Sequence, residues 1–192
     1  MCDRNAMLLL AGTAVALWMT GCGKLGSVEQ GRVIAYNRTS GQVTLILDSS
    51  GGRAAAPVYD ALPPVLVQSP ADPDEMGPAP QPGKLMRVDL KKREMTVYDA
   101  VARQFRTIRY TLVSERQGVA KGAGFPAVDP AKRTISVYWA PAHTVVTIAA
   151  SAELLAMPLG TWRAGDEVRY YFKDPGQALR MMNVTRTDLN KG

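Results

Sequence analysis

Cysteine and histidine are almost missing from this chain of 192 residues, which holds only Cys2, Cys22 and His143. Two cysteines cannot make a four-thiolate zinc site or hold an iron–sulfur cluster, and no haem-attachment motif is present. A Ser-His-Asp triad would have to use His143. That residue lies between Ala142 and Thr144, where a strand begins, and no serine stands in a nucleophile setting. It reads as a structural or surface residue. Phosphate-binding loops, Gly-x-Ser-x-Gly elbows, Ser-x-x-Lys pairs and calcium-loop spacing are also missing. Gly21-Cys-Gly-Lys-Leu-Gly26 fits the letters of a dinucleotide-binding loop, but that pattern has meaning only between a strand and a helix. The acids mark out no pair for acid–base work, and an enzyme using carboxylates alone stands as the third reading of function, one that requires a deep polar cleft with a convergent acid pair. We therefore expect no catalytic residues, no metal site and no cofactor.

Long apolar runs are missing too. The stretch Ala6–Met19 has 14 residues and includes Gly12 and Thr13, whereas a spanning helix needs about 20 apolar residues. With Arg4 before it and Met19-Thr20-Gly21-Cys22 after it, the stretch reads as a secretory signal peptide. Its end resembles the lipobox of bacterial lipoproteins, which implies cleavage after Gly21 and lipid attachment at Cys22. Two or more acyl chains hold a protein stably on a membrane, at ~0.8 kcal/mol per buried CH₂. Gly23 stands where an Asp would signal inner-membrane retention in related lipoproteins. The expected location is the periplasmic side of the outer membrane, with the inner membrane as the alternative.

Residues 1–21 form the expected signal and 22–28 a lipidated tether, leaving 29–188 as one β-rich domain with enough chain for a core. Asp3 and Arg4 leave together, so the formal net charge of +6 is unchanged. With Cys2 removed and Cys22 lipidated, the mature chain has neither a free thiol nor a disulfide. Packing alone must hold it.

The remaining pattern is strands and turns. Gln30–Asn37 and Gln42–Asp48 flank the turn Arg38-Thr-Ser-Gly41, and Val43, Leu45 and Ile46 are apolar around a polar Thr44, close to strand alternation. Val88–Tyr98 aligns without a gap to Val128–Tyr138, 40 residues on, and Tyr36–Ile46 is a weaker third copy. Asp or Asn opens each turn, where its side chain can accept from backbone two residues on. Asp166–Phe172 and Gln177–Arg186 flank a Lys173-Asp-Pro-Gly176 turn. One short helix is expected, capped by Ser151, with Leu154, Leu155 and Met157 facing inward and Pro158 ending it; residues 100–104 offer a further helical turn. The expectation is an all-β antiparallel barrel or sandwich built of hairpins, with an OB-like, partly open barrel as the most specific form.

Eight of the 13 prolines fall between Pro57 and Pro82. Proline cannot donate to a ladder, which argues against interior sheet. The apolar Val58, Tyr59, Leu62, Val65, Leu66 and Val67 argue against a solvated linker. An ordered loop over residues 57–83 is therefore expected, with Asp72-Pro-Asp-Glu-Met76 as an acidic contact surface or a solvated turn.

Basic residues repeat with the hairpins. Lys91, Lys92 and Arg93 match Lys132 and Arg133 at equivalent tips, and Arg103, Arg106 and Arg109 lie nearby. Tips pointing the same way would form a positive rim for an anionic partner. Charge there also serves solubility and blunts sheet edges.

Gly23–Ile34, Asp74-Glu-Met-Gly77, Gly165-Asp-Glu-Val-Arg169 and Met182-Asn-Val-Thr-Arg-Thr-Asp188 together resemble a small family of bacterial lipoproteins of sulfate-reducing deltaproteobacteria, built on a domain of unknown function. The resemblance spans nearly the whole mature chain and implies no activity. The expected role is a non-catalytic binding or accessory module for an envelope protein complex, anchored to a membrane by its lipid. The alternative is a binding module for an anionic small molecule or glycan. Nucleic acid is not an expected partner.

Overall fold

The computed structural model describes residues 25–51, 56–120 and 124–187. Cys22 and the signal before it lie outside the described residues. The first seven strands are β1 (Ser27–Asn37), β2 (Gln42–Asp48), β3 (Tyr59–Gln68), β4 (Leu85–Asp89), β5 (Glu94–Asp99), β6 (Gln104–Arg109) and β7 (Thr111–Arg116). Then come β8 (Ala127–Asp129), β9 (Thr134–Trp139), β10 (Thr144–Ala149), the short helix α1 (Ala152–Leu155), β11 (Glu167–Phe172) and β12 (Ala178–Asn183). They form three sheets, ordered β12-β11-β1-β2-β3, β7-β10-β9-β8 and β4-β5-β6. Every strand ladder is antiparallel. The sheets do not close into a barrel; the fold is all-β, antiparallel and built of hairpins, as a sandwich or partly open barrel would be.

Alternation along the strands decides which sheet packs on which. Met95 and Val97 of β5 are buried with Ile108, Ile135, Val137, Val146, Ile148 and Trp162, so one face of the three-stranded sheet meets the four-stranded sheet. Tyr98 points the other way, into a cluster of Ile34, Ile46, Tyr59 and Met86 that joins the five-stranded sheet. The five-stranded sheet buries Val33, Val43, Leu45, Val67, Val168, Tyr170, Ala178 and Met181 on its own second face. Each fully buried side chain of this size contributes about 1.5–3 kcal/mol.

The repeat runs further than the local likeness suggested. Glu94–Asp99 and Gln104–Arg109 correspond to Thr134–Trp139 and Thr144–Ala149, so β4-β5-β6 and β8-β9-β10 are two copies of one meander at an offset of 40. Their turns share a device. Asp89 Oδ1 accepts from Lys92 N at 2.9 Å and Asp129 Oδ1 from Lys132 N at 3.0 Å, and Arg93 and Arg133 follow at φ 57° and 52°. Asn37 opens the β1–β2 turn in the same way, and Gly41 takes the positive φ.

Two expectations need correction. Tyr59–Gln68, inside the proline-rich segment, forms strand β3 instead of a loop. Its ladder is with β2, at the sheet edge, with one further parallel bridge from Gln68 to Gln177, and Pro63 and Pro64 fall where the register shifts between the Leu45↔Val65 and Leu47↔Ala61 pairs. An edge position tolerates missing donors. The rest of the segment is loop, with a single 3-10 turn at Pro73–Glu75, and it docks on β12 through the Glu75–Arg180 ion pair and the bond from Gly77 N to Met181 O at 2.8 Å. Residues 100–104 are not helical; they complete the β5–β6 hairpin turn and begin β6. Helix α1 follows its expected plan, with Ser151 Oγ accepting from Leu154 N at 3.3 Å and Leu154, Leu155 and Met157 packed on the core.

Candidate ligand cleft

Strand β1 carries the first element of the site. At Val33 its register shifts against β2, its N–H donates to Asp166 O at 2.9 Å and its carbonyl accepts from Gly83 N at 3.0 Å. The backbones there are so close that a Cβ on Gly165 would overlap the Val33 carbonyl oxygen. That contact draws Ala164–Glu167 against β1 and sets Arg32 and Glu167 opposite each other. A cleft of about 600 Å³ opens beside them, closed on the far side by Tyr138, Trp139 and Pro141 at the end of β9. Sites for small molecules commonly occupy about 300–1,000 Å³.

Arg32 is buried, 5 % exposed. Its Nη1 donates to Met86 O at 2.7 Å, and its Nη2 donates to Glu167 Oε1 at 2.7 Å. The guanidinium carbon lies 4.4 Å from the Tyr59 ring centre and 5.8 Å from that of Trp139, within range of cation–π attraction. Burial pushes the Tyr59 phenol well above its ordinary range, so it stays protonated and accepts from Gln30 Nε2 at 2.8 Å.

Asp166 ties the floor together. Its Oδ2 accepts from Gln81 N at 2.9 Å, Asn183 Nδ2 at 2.9 Å and Arg186 Nε at 2.6 Å. Arg186 Nη2 also donates to Gln81 Oε1 at 2.8 Å, and Thr185 Oγ1 accepts from Glu167 N at 2.7 Å. Three segments distant in sequence are thereby locked around one carboxylate.

Against this satisfied floor stand three buried polar atoms with no hydrogen-bond partner among the described residues: Arg32 Nε, Tyr138 Oη and Trp162 Nε1. All three belong to residues lining the cleft. A buried donor without a partner costs about 1–3 kcal/mol, and native proteins leave few of them. Half-buried Arg163 also lines the cleft and has no ion-pair partner among the described residues. The arrangement can present the positive charge of Arg163 to a small molecule between aromatic walls. No three His, Cys, Asp or Glu side chains come together as a metal site among the described residues.

The residues singled out from sequence lie elsewhere. Tyr110 N donates to Arg93 O at 3.0 Å and Ala150 N to Arg133 O at 2.8 Å. Thr111 pairs with Ala149, and Ala149 with Thr134, so Lys91, Lys92, Arg93, Lys132 and Arg133 share one end of the two sheets. The cleft is at the other end of β9. Lys132 is partly countered by Asp129 at 3.3 Å, Arg109 pairs with Glu94, Arg106 pairs with Glu153, and Arg103 sits at the opposite turn. His143 is exposed, with φ 46°, and its carbonyl accepts from Val119 N at 2.9 Å.

Sequence reasoning missed Arg32, Tyr138, Trp139, Trp162, Arg163 and Asp166. A signal was present in part. Arg32 lies within Gly23–Ile34, Asp166 and Glu167 within Gly165–Arg169, and Asn183, Thr185 and Arg186 within Met182–Asp188, three of the four segments that carried the family resemblance. No curated protein and no solved structure matches the chain. A family model described as "Domain of unknown function (DUF4881)" matches residues 24–192, and the chain belongs to that family.

Proposed function

We propose that this protein is a non-catalytic binding module of the bacterial envelope, anchored by lipid on Cys22, whose cleft takes a small molecule rich in hydrogen-bond acceptors. The observation that carries the reading is the gathering of Arg32 Nε, Tyr138 Oη and Trp162 Nε1, buried and unpartnered, on one cleft. Stray unsatisfied groups would be scattered; these belong to three residues that line one space of ligand size. The lipobox-like Met19–Cys22 supports the anchor and the outer-membrane, periplasm-facing location.

Two measurements test it. Purified lipidated protein in detergent should gain thermal stability from acceptor-rich small molecules, because anything that binds only the folded state stabilises it. A library without a single hit removes the cleft's assigned role. Cys22→Ala should abolish lipid labelling and membrane retention, and unchanged retention removes the anchor.

A second reading, an accessory subunit of an envelope complex, is favoured by one feature. Leu62 and Leu66 of edge strand β3 are 43 % and 54 % exposed, and apolar side chains on a sheet edge suit a protein contact. Crosslinking in the native envelope should then recover one partner at comparable abundance, with Leu66→Lys reducing the yield.

A further inference from the structure

The cleft's charges and donors specify what it would hold, on the reading that it is a binding site. Arginine donates and never accepts, so half-buried Arg163, which lines the cleft, calls for acceptor atoms on the ligand. The charged lining residues are Arg32, Arg163 and Arg186 against Asp166 and Glu167. Glu167 is matched by Arg32 and Asp166 by Arg186. Among the described residues one positive charge is left over, on half-buried Arg163, the neighbour of Trp162. A single negative charge balances it, whereas a neutral ligand would leave Arg163 uncompensated and a dianion would overshoot. A planar carboxylate matches the arginine fork, which can grip it with two parallel bonds. Trp139, Tyr138 and Phe125 line the same space, and aromatic faces favour a flat ring laid against them.

We infer that the cleft binds a monocarboxylate carried on a ring, with Arg163 holding the carboxylate and Trp139 stacking on the ring. A sugar acid and an aromatic acid both have this chemistry, and the test separates them.

Two of the chain's three tryptophans, Trp139 and Trp162, line the cleft, so intrinsic fluorescence reads occupancy directly. Purified lipidated protein in detergent would be titrated with glucuronate and with benzoate, and with glucose and benzyl alcohol as their neutral counterparts. At least one acid should change the emission saturably, with its neutral counterpart at least tenfold weaker. The acid that binds identifies the source, sugar or aromatic. Arg163→Gln should weaken the acid at least tenfold and erase its advantage over the neutral partner; Arg163→Lys, which keeps the charge and loses the fork, should fall between. Lys173→Gln, at the exposed β11–β12 turn, controls for general charge and should leave the titration unchanged. If a neutral counterpart binds as tightly as its acid, or Arg163→Gln binds like wild type while folded by circular dichroism, the carboxylate assignment is overturned and the binding-module reading survives. If none of the four compounds binds while other acceptor-rich molecules stabilise the protein, the assignment falls alone; if those fail as well, both fall.

Discussion

The two meanders, β4-β5-β6 and β8-β9-β10, share a backbone plan and differ most at one turn. Their first turns match, with Asp89 and Asp129 accepting from backbone and Arg93 and Arg133 in the left-handed region. Their second turns occupy equivalent positions, Asp99–Arg103 and Trp139–His143, and end on equivalent left-handed residues, Arg103 at φ 54° and His143 at φ 46°. In the first copy Asp99 Oδ1 accepts from Val101 N at 2.9 Å and Ala102 N at 3.0 Å. In the second, Trp139 stands in its place, no side chain caps the turn, and Pro141 takes part in a 3-10 turn at Ala140–Ala142. Trp139 lies near the Arg32 guanidinium and walls the cleft. The second copy thus departs from its own local rule where it meets the candidate site, which is where such departures are expected.

The comparison breaks most severely if the copies do not share a core. Ile108 and Ile148 occupy equivalent strand positions in the same cluster, 7 % and 0 % exposed. Ile108→Ala and Ile148→Ala should each cost about 3 kcal/mol, within the usual range for such deletions. Urea unfolding should show a single transition with similar losses. Two transitions, or a cost near zero for one variant, would mean that the meanders are separate units.

The next test exchanges the turns. Trp139→Asp should restore the backbone-accepting turn of the first copy while removing apolar packing and the contact with Arg32. The net stability loss should be about 1 kcal/mol, since cation–π contacts and partial burial each carry about that much. Ligand binding in the cleft should fall at least tenfold by fluorescence of Trp162. Retained affinity would show that Trp139 is a turn residue and no more.

The hairpins were legible because their signals are local. Asp or Asn opens the β1–β2, β4–β5 and β8–β9 turns, alternating apolar residues follow it, and the 40-residue likeness of Val88–Tyr98 to Val128–Tyr138 marks two of these hairpins, whereas the β5–β6 turn reads from sequence as helical. Strand β3 was not legible, because its prolines veto a central strand but not an edge one, and edge position depends on the whole sheet's order. The cleft was illegible for a similar reason. Arg32 and Asp166 are separated by 134 positions and meet only through the β1–β11 pairing and the close approach of Gly165 to Val33. No periodicity or short motif records an orphaned donor, which exists only once burial is known.

A smaller effect is expected at the left-handed residues. Arg93, Arg103, Arg133 and His143 all carry a Cβ in a region that costs an L-residue about 1–2 kcal/mol. Glycine avoids that strain but loses entropy of its own, so each substitution to glycine should stabilise by about 0.5 kcal/mol. Equal gains at Arg103 and His143, read as shifts in the urea midpoint, would confirm that the two second turns have kept one backbone despite different capping. A loss at either would show that its side chain holds the turn.

The finest discrimination comes from acid. The backbone N–H of Ala102, then that of Val101, holds the Asp99 carboxylate below its ordinary value of 3.8, and the N–H of Lys132 does the same first for Asp129. A carboxyl depressed in the folded state contributes stability above its unfolded value and loses it as pH falls through the folded one. Both turns should therefore be indifferent to pH between about 7 and 5 and weaken below about 4. Asparagine offers the same acceptor without titrating, as Asn37 shows in the first hairpin. Asp99→Asn should match wild type near neutrality and lose stability less steeply in acid, while Trp139→Asp should steepen the acid limb by adding a third such carboxylate. The measurement is the urea midpoint as a function of pH. An unchanged acid limb in Asp99→Asn would mean that the capping bonds do not distinguish the two copies, and that the role of position 139 lies wholly in the cleft.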